Sequence, residues 1–134
     1  MDMRATNQQV IERFRAGGEI PGMHRERLLL LTTTGARSGQ PHTTPMMFHR
    51  DGDRLLVIAS NAGAPQDPDW YRNLVARPRV TVEVGEERYE AVATPASGAE
   101  YARLWSLITE LYPFFAEHKV KAGRDIPVVV LTRV

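Results

Sequence analysis

Cysteine is absent from this chain of 134 residues. That excludes disulfides, thiolate nucleophiles and cysteine metal sites. An excess of charge of either sign is also lacking. Seventeen Lys and Arg residues face 16 Asp and Glu residues, for a formal net charge of +1. Such a balance argues against a dedicated nucleic-acid binder, although a local basic patch is compatible with it. No apolar run approaches the length that spans a bilayer. The first twenty residues carry Asp2, Glu12 and Glu19 and do not read as a signal peptide. The expected protein is cytoplasmic and binds no nucleic acid.

Motifs that would make the chain its own catalyst are missing too. His24, His42, His49 and His118 have no metal-ligand spacing such as His-Glu-x-x-His, so no metal is expected. There is no Gly-x-Ser-x-Gly elbow and no spaced carboxylate pair that compels a hydrolase reading. Acid, base and nucleophile are all weakly represented, which pushes the chemistry onto a cofactor.

What is present is a globular composition, 43% hydrophobic and 25% charged, of single-domain size. Residues 5–16 form an expected short helix with Val10, Ile11 and Phe14 on one side, ended by Gly17-Gly18. Its arginines would suit a membrane surface, but a helix lying on its own domain is the favoured reading. Strands are expected at 27–34, 43–50 and 55–60, with Asp51-Gly52-Asp53 as a hairpin turn. Asp69 is a candidate cap for a helix over 69–76. Val80, Val82 and Val84 alternate with polar residues in a half-buried strand, and residues 88–96 form its hairpin partner. A helix is expected over 98–116, opened by a capping box of Ser97 and Glu100 and interrupted or ended at Pro113. "IPVVVL" is a final buried strand. About six strands, mostly in hairpins, and three helices fit a small antiparallel barrel with helices outside better than a doubly wound sheet. The expected division is an N-terminal helical segment, 1–19, and a barrel domain, 20–134.

Three stretches are candidates for chemistry. In "TTTGARSGQPHTTPMMF", residues 32–48, Gly35 and Gly39 flank Arg37 and Ser38 in a tight turn. Such turns aim backbone N–H groups at an anion, and Arg37 adds a forked cation. With the hydroxyls of Ser38, Thr43 and Thr44 they could cradle a phosphate; a solvated hairpin is the alternative. In "ASNAGAPQDPDWYRNL", residues 59–74, Gly63, Pro65 and Pro68 fix an irregular backbone that a flat polar ligand could partner under Trp70 and Tyr71. A connector with Trp70 plugging the barrel is the alternative. Tyr112, Phe114, Phe115 and His118 form an aromatic group, with His118 the histidine most like a site residue; core packing is the favoured alternative.

The segment from "LLTTTGARSGQPHTTPMMFHRDGDRLLVIASNAGAPQDPDWYRNL" through "RVTVEVG", "ASGAEYARLW" and "GRDIPVVVL" closely resembles the deazaflavin-dependent nitroreductase family. These are coenzyme F420-dependent oxidoreductases of actinobacteria and their relatives, and the resemblance covers roughly residues 20–134. It implies a split β-barrel like that of pyridoxamine-phosphate-oxidase relatives. It also implies coenzyme F420, a 5-deazaflavin with a phosphate and an oligoglutamate tail, as cofactor. Arg37, Ser38, Thr43, Thr44 and Pro45 inherit the phosphate side, with Gln40 and His42 in the same wall. Ser60, Asn61, Gly63, Ala64, Pro65, Gln66, Trp70 and Asn73 inherit the deazaflavin side, flanked by Met46 and Phe48. Tyr112, Phe115 and His118 inherit the substrate-side wall, and Tyr112 or His118 is a candidate proton donor beside solvent.

The activity so implied is hydride transfer from reduced F420 to a quinone, nitro compound or activated alkene. The alternatives are an F420 carrier with little turnover and an FMN-binding barrel. The expected partner is an apolar small-molecule acceptor, and the chain stands as monomer or homodimer. The N-terminal helix is then expected to cover the pocket, close a dimer or touch the inner face of the membrane. Family members often carry Lys or Arg at Gln40, His42 and Gln66, so a weaker grip on the cofactor's acidic groups is expected here. Phe115 falls where relatives can show tyrosine.

Overall fold

The computed structural model describes residues 3–20 and 24–134. Residues 1 and 2 of the expected N-terminal segment and 21–23 of the expected barrel lie outside the described residues. Among those described are seven strands and four α-helices. The order is α1 (Met3–Arg15), β1 (Leu28–Thr34), β2 (Pro41–Met47), β3 (His49–Asp51), β4 (Arg54–Ile58), α2 (Asp69–Ala76), β5 (Arg79–Val84), β6 (Glu87–Pro95), α3 (Gly98–Leu111), α4 (Phe114–Ala122) and β7 (Val128–Arg133).

All strand pairs are antiparallel, in the order β2-β1-β5-β6-β7-β4-β3. β2 and β3 therefore lie at opposite edges of the sheet, yet Phe48 alone separates them in the chain. One residue cannot bridge a flat sheet of seven strands, whose neighbours lie about 4.8 Å apart. The sheet must curl until its edges approach, and β2 does contact β4. The result is a curled, split half-barrel.

Alternation along the strands divides the apolar residues among three clusters. Leu29, Leu31, Leu55, Val57, Val82, Val129 and Leu131 point into the barrel. The intervening residues point outward and need cover. Leu28 and Leu30 are covered by Val10, Ile11 and Phe14 of α1, together with Ile20. Leu56, Val128 and Val130 are covered by Leu104, Ile108 and Phe115 of α3 and α4. Both faces of β1, β4 and β7 are thus buried, which is why their sequences read as continuous apolar runs. Arg15 fastens the end of α1 to β5 through a forked ion pair with Glu83, at 3.0 and 2.9 Å. α1 spends its apolar face on its own sheet, the favoured expectation.

Several expectations need correction. The strand expected at 43–50 is two strands, because the chain turns the barrel's corner at Phe48. The helix expected over 98–116 is two helices. Pro113 ends one and stands at the N-cap of the next, where its fixed φ of −56° suits a helix start. The Ser97–Glu100 box does not form: Ser97 makes no side-chain cap bond, and Glu100 accepts from Arg54 at 2.9 Å instead. Pro68, not Asp69, is the N-cap of α2, and Asp69 pairs with Arg72.

Candidate functional site

A cleft of about 1150 Å³ opens where α1, the β1–β2 turn, β2 and α2 meet. Its size suits an elongated cofactor rather than a fragment of one. Asn7, Gln8 and Ile11 wall it from α1, Gly35 to Ser38 from the turn, Pro41 to Thr44 from β2, and Asp69, Trp70, Arg72 and Asn73 from α2. Successive residues of a strand point to opposite faces, yet Thr43 and Thr44 both line the cleft. β2 is an edge strand, and the cleft wraps around that edge. Of the expected phosphate-side residues the cleft gathers Arg37, Ser38, His42, Thr43 and Thr44, and of the deazaflavin-side residues Trp70 and Asn73.

The turn is built by its own hydrogen bonds. Gly35 N–H donates to Gln40 O at 2.8 Å, and Gly39 N–H to Gly35 O at 3.0 Å. The Ser38 hydroxyl accepts from Gln40 N–H at 3.1 Å and lies 3.5 Å from His42 Nε2. A Cβ at position 35 would stand 2.3 Å from Ser38 Oγ and 3.1 Å from His42 Nε2, so these side chains would have to shift. Asn73 reaches over from α2 to brace the turn. Its Oδ1 accepts from Ala36 N–H at 3.0 Å, and its Nδ2 donates to the buried Thr33 hydroxyl at 3.2 Å. Asn73 therefore positions the turn, a task the sequence reading did not assign to it. Thr43 shares a 2.8 Å bond with Thr32. Among the described residues no hydrogen-bond or acidic partner of the Arg37 guanidinium is found.

A smaller cavity of about 380 Å³ adjoins the cleft, sharing Asp69 and Arg72 and adding Asn61, Gln66, Asp67 and Pro68. Its loop, 59–67, is organised by Arg124, which the sequence reading passed over. Arg124 donates to the carbonyls of Ala59, Ser60, Ala64 and Gln66 at 3.0–3.4 Å. It also pairs with Asp67 at 2.7 Å, with only 18% of its side chain exposed. Asn61 Nδ2 closes the loop on Gln66 O at 3.0 Å. Asn61 and Ala62 hold left-handed φ values of 49° and 54°, conformations that persist only where surrounding bonds fix them. Gly63, at φ 83°, packs against Lys121 of α4; a Cβ there would lie 2.8 Å from Lys121 Cδ. Ser60 is buried and gives its carbonyl to Gly63 N–H.

Other expected residues sit elsewhere. Met46 and Phe48 pack against the barrel core, and Pro45 pairs with Leu30 inside the sheet. Gln40 serves the turn through its main chain. Gly63, Ala64 and Pro65 belong to the Arg124 loop but line neither cavity. Tyr112, Phe115 and His118, the substrate-side wall that the resemblance implies, line neither cavity. Phe115 is 7% exposed in the cluster under α3, since it covers the outward residues of β4 and β7. The Tyr112 hydroxyl lies 3.2 Å from His49 Nδ1. His118 stands edge-on to Phe114 and Phe115, with a buried Nδ1 that has no partner among the described residues. These aromatics lie behind the 59–67 loop, which α4 touches. Burial and, after it, the Asp67 carboxylate hold the Tyr71 phenol above the ordinary tyrosine range, so it is neutral at neutral pH. Among the described residues no cluster of His, Asp or Glu could hold a metal, and no helix is long and apolar enough to cross a membrane.

Comparison with known proteins gives a consistent family. The family model described as F420H2-dependent quinone reductase matches residues 3–133, so α1 falls within the match. An F420H2-dependent quinone reductase of Mycobacterium tuberculosis is 43% identical over 122 residues, covering 89% of this chain and 80% of that protein. A solved F420H2-dependent reductase, FDR-A, is similar with a TM-score of 0.71 and 35% identity, over 82% of this chain and 99% of its own. A structure described as a domain-swapped dimer has a TM-score of 0.74 and 34% identity, over 92% and 95%. The haem storage protein HutZ of Vibrio cholerae, at 16% identity and a TM-score of 0.59 over 95% and 89%, shares the split-barrel fold.

Proposed function

The chain belongs to the F420H2-dependent quinone reductase family, whose cofactor is coenzyme F420, and we propose that it reduces a quinone at the cleft between α1, β2 and α2. The observation that carries this reading is the Arg37 guanidinium, without an acidic partner among the described residues, in a cleft also lined by the hydroxyls of Ser38, Thr43 and Thr44. This donor set fits a phosphate, because forked and hydroxyl donors both suit its oxygens. The cleft's volume leaves room for the flat part of the cofactor beside Trp70.

When bound and reduced, coenzyme F420 supplies a hydride from C5 of its deazaflavin. The residues present bind, orient and screen. Arg37, Ser38, Thr43 and Thr44 hold the acidic end. Asn73 keeps the turn at 35–40 in place. The Arg124 loop offers a fixed wall for the ring through Asn61 and Gln66, which line the smaller cavity. A quinone that gains a hydride needs one proton to become a hydroquinone. Few groups are placed to give it: among the described residues, His42 and Asp69 are the His, Asp or Glu residues that line the cleft. Solvent therefore supplies the proton in this reading, since Tyr112 and His118 line neither cavity. Nitro compounds and activated alkenes, which also accept a hydride, are secondary acceptors.

The chain is proposed to work in the cytoplasm as a homodimer, a state supported by the domain-swapped dimer among its relatives; sedimentation would test it. No membrane contact through α1 is included, because Val10, Ile11 and Phe14 are buried in its own domain. The test of function is a titration of the purified protein with oxidised F420 and with FMN, followed by F420H2 oxidation with menadione. F420 binding and turnover are expected. Preference for FMN would overturn the cofactor, and binding without turnover would favour a carrier.

A further inference from the structure

Arg72 stands where the two cavities meet and lines both. Among the described residues that line the cleft, Arg37 and Arg72 carry guanidinium groups and Asp69 a carboxylate. Arg37 lacks an acidic partner among the described residues, while Arg72 is paired with Asp69 one helical turn earlier. Both members of that pair are exposed, 59% and 88% of their side chains. An exposed pair of this kind contributes little to stability, so its cation changes partner at little cost. The other carboxylate of the small cavity does not compete for Arg72, because Asp67 is held by Arg124 at 2.7 Å.

We propose that Arg72 is a second anion-binding residue of the site, one that Asp69 holds in place and that moves to the acidic oxygens of the bound cofactor. The inference rests on the proposed function, since coenzyme F420 brings both a phosphate and tail carboxylates. Asp69 then acts against binding: it occupies the cation, and its own charge repels an anion entering the cleft.

The pair makes a prediction in two directions. Arg72→Gln is expected to weaken F420 binding about five-fold. Asp69→Asn is expected to tighten it about three-fold. Both positions are exposed, so both variants are expected to keep the wild-type Tm. Three probes separate the anion's source: F420 with its tail, the form that keeps the phosphate but has no glutamates, and the deazaflavin alcohol that has neither. The alcohol should bind all three proteins alike. An Arg72→Gln penalty that persists without glutamates assigns the phosphate, and one that disappears assigns the tail; both support the proposal. Equal F420 affinities in the three proteins, or weaker binding by Asp69→Asn, would overturn it and leave the proposed function standing. A wild-type protein that binds no F420 would remove the proposed function and this inference with it.

Discussion

Around Arg124, the carbonyls of Ala59, Ser60, Ala64 and Gln66 and the carboxylate of Asp67 converge on one guanidinium. In the turn after β1, the Arg37 guanidinium has no such partner among the described residues, and it lines an open cleft. Two arginines of one site are thus used in opposite ways. The first is consumed in shaping a wall. A loop with residues at φ 49° and 54° would not hold its form unaided. The second belongs to a turn that satisfies its own backbone, and no described residue takes up its charge. Donors already placed and not already bonded need no reorganisation when a charged group arrives.

That contrast can be broken from either side. The largest effect is expected for Arg124→Ala, which strands the Asp67 carboxylate and four carbonyls at once. It should lower stability by about 2–4 kcal/mol, read as a lower Tm, and should weaken F420 binding as well. Arg124→Lys keeps the charge but not the fork and should recover only part of the loss. Asn73→Ala comes next. It removes the brace between α2 and the turn, costs about 1–2 kcal/mol of stability and weakens binding, although Asn73 need not touch the cofactor. Arg37→Ala should reduce F420 affinity by about 1–2 kcal/mol while leaving Tm unchanged. The value is kept low because Arg37 is exposed and solvent screens its contact. Smallest is Gly35→Ala, whose Cβ would push the Ser38 hydroxyl off the Gln40 N–H. A loss of about 1 kcal/mol in affinity is expected, with little change in Tm. A Tm drop in Arg37→Ala as large as that of Arg124→Ala would erase the difference between the two walls.

That the residues of the β1–β2 hairpin gather in one cleft was legible because they are local. Gly35, Arg37, Ser38, Thr43 and Thr44 lie within ten residues, and one hairpin brings them together. The strands at 28–34 and 79–84 and the helix at 69–76 were legible for the same reason, since alternation and amphipathic period are short-range patterns. Arg124 was not legible. Its partners lie 57 to 65 residues away, and only the return of the chain after α4 places it under the loop. The capping box at Ser97 failed for a related reason: Glu100 found a distant guanidinium in Arg54. Phe115 was read from its residues as core packing and from the resemblance as a substrate-side wall, and it is buried in the cluster under α3. An aromatic residue on a helix gives no sign in sequence of which layer it covers. α1 shows the converse. Its helical period was clear, but that Asn7, Gln8 and Ile11 line the cleft follows only from the packing of Val10 and Phe14 on β1.

The most direct measurement is an equilibrium titration of the wild-type protein and Arg37→Ala with oxidised coenzyme F420, with the Tm of each recorded. The account predicts micromolar or tighter binding by the wild type and weaker binding by the variant at an unchanged Tm. Equal affinities would mean that Arg37 of the β1–β2 turn is not where the cofactor's acidic end is held.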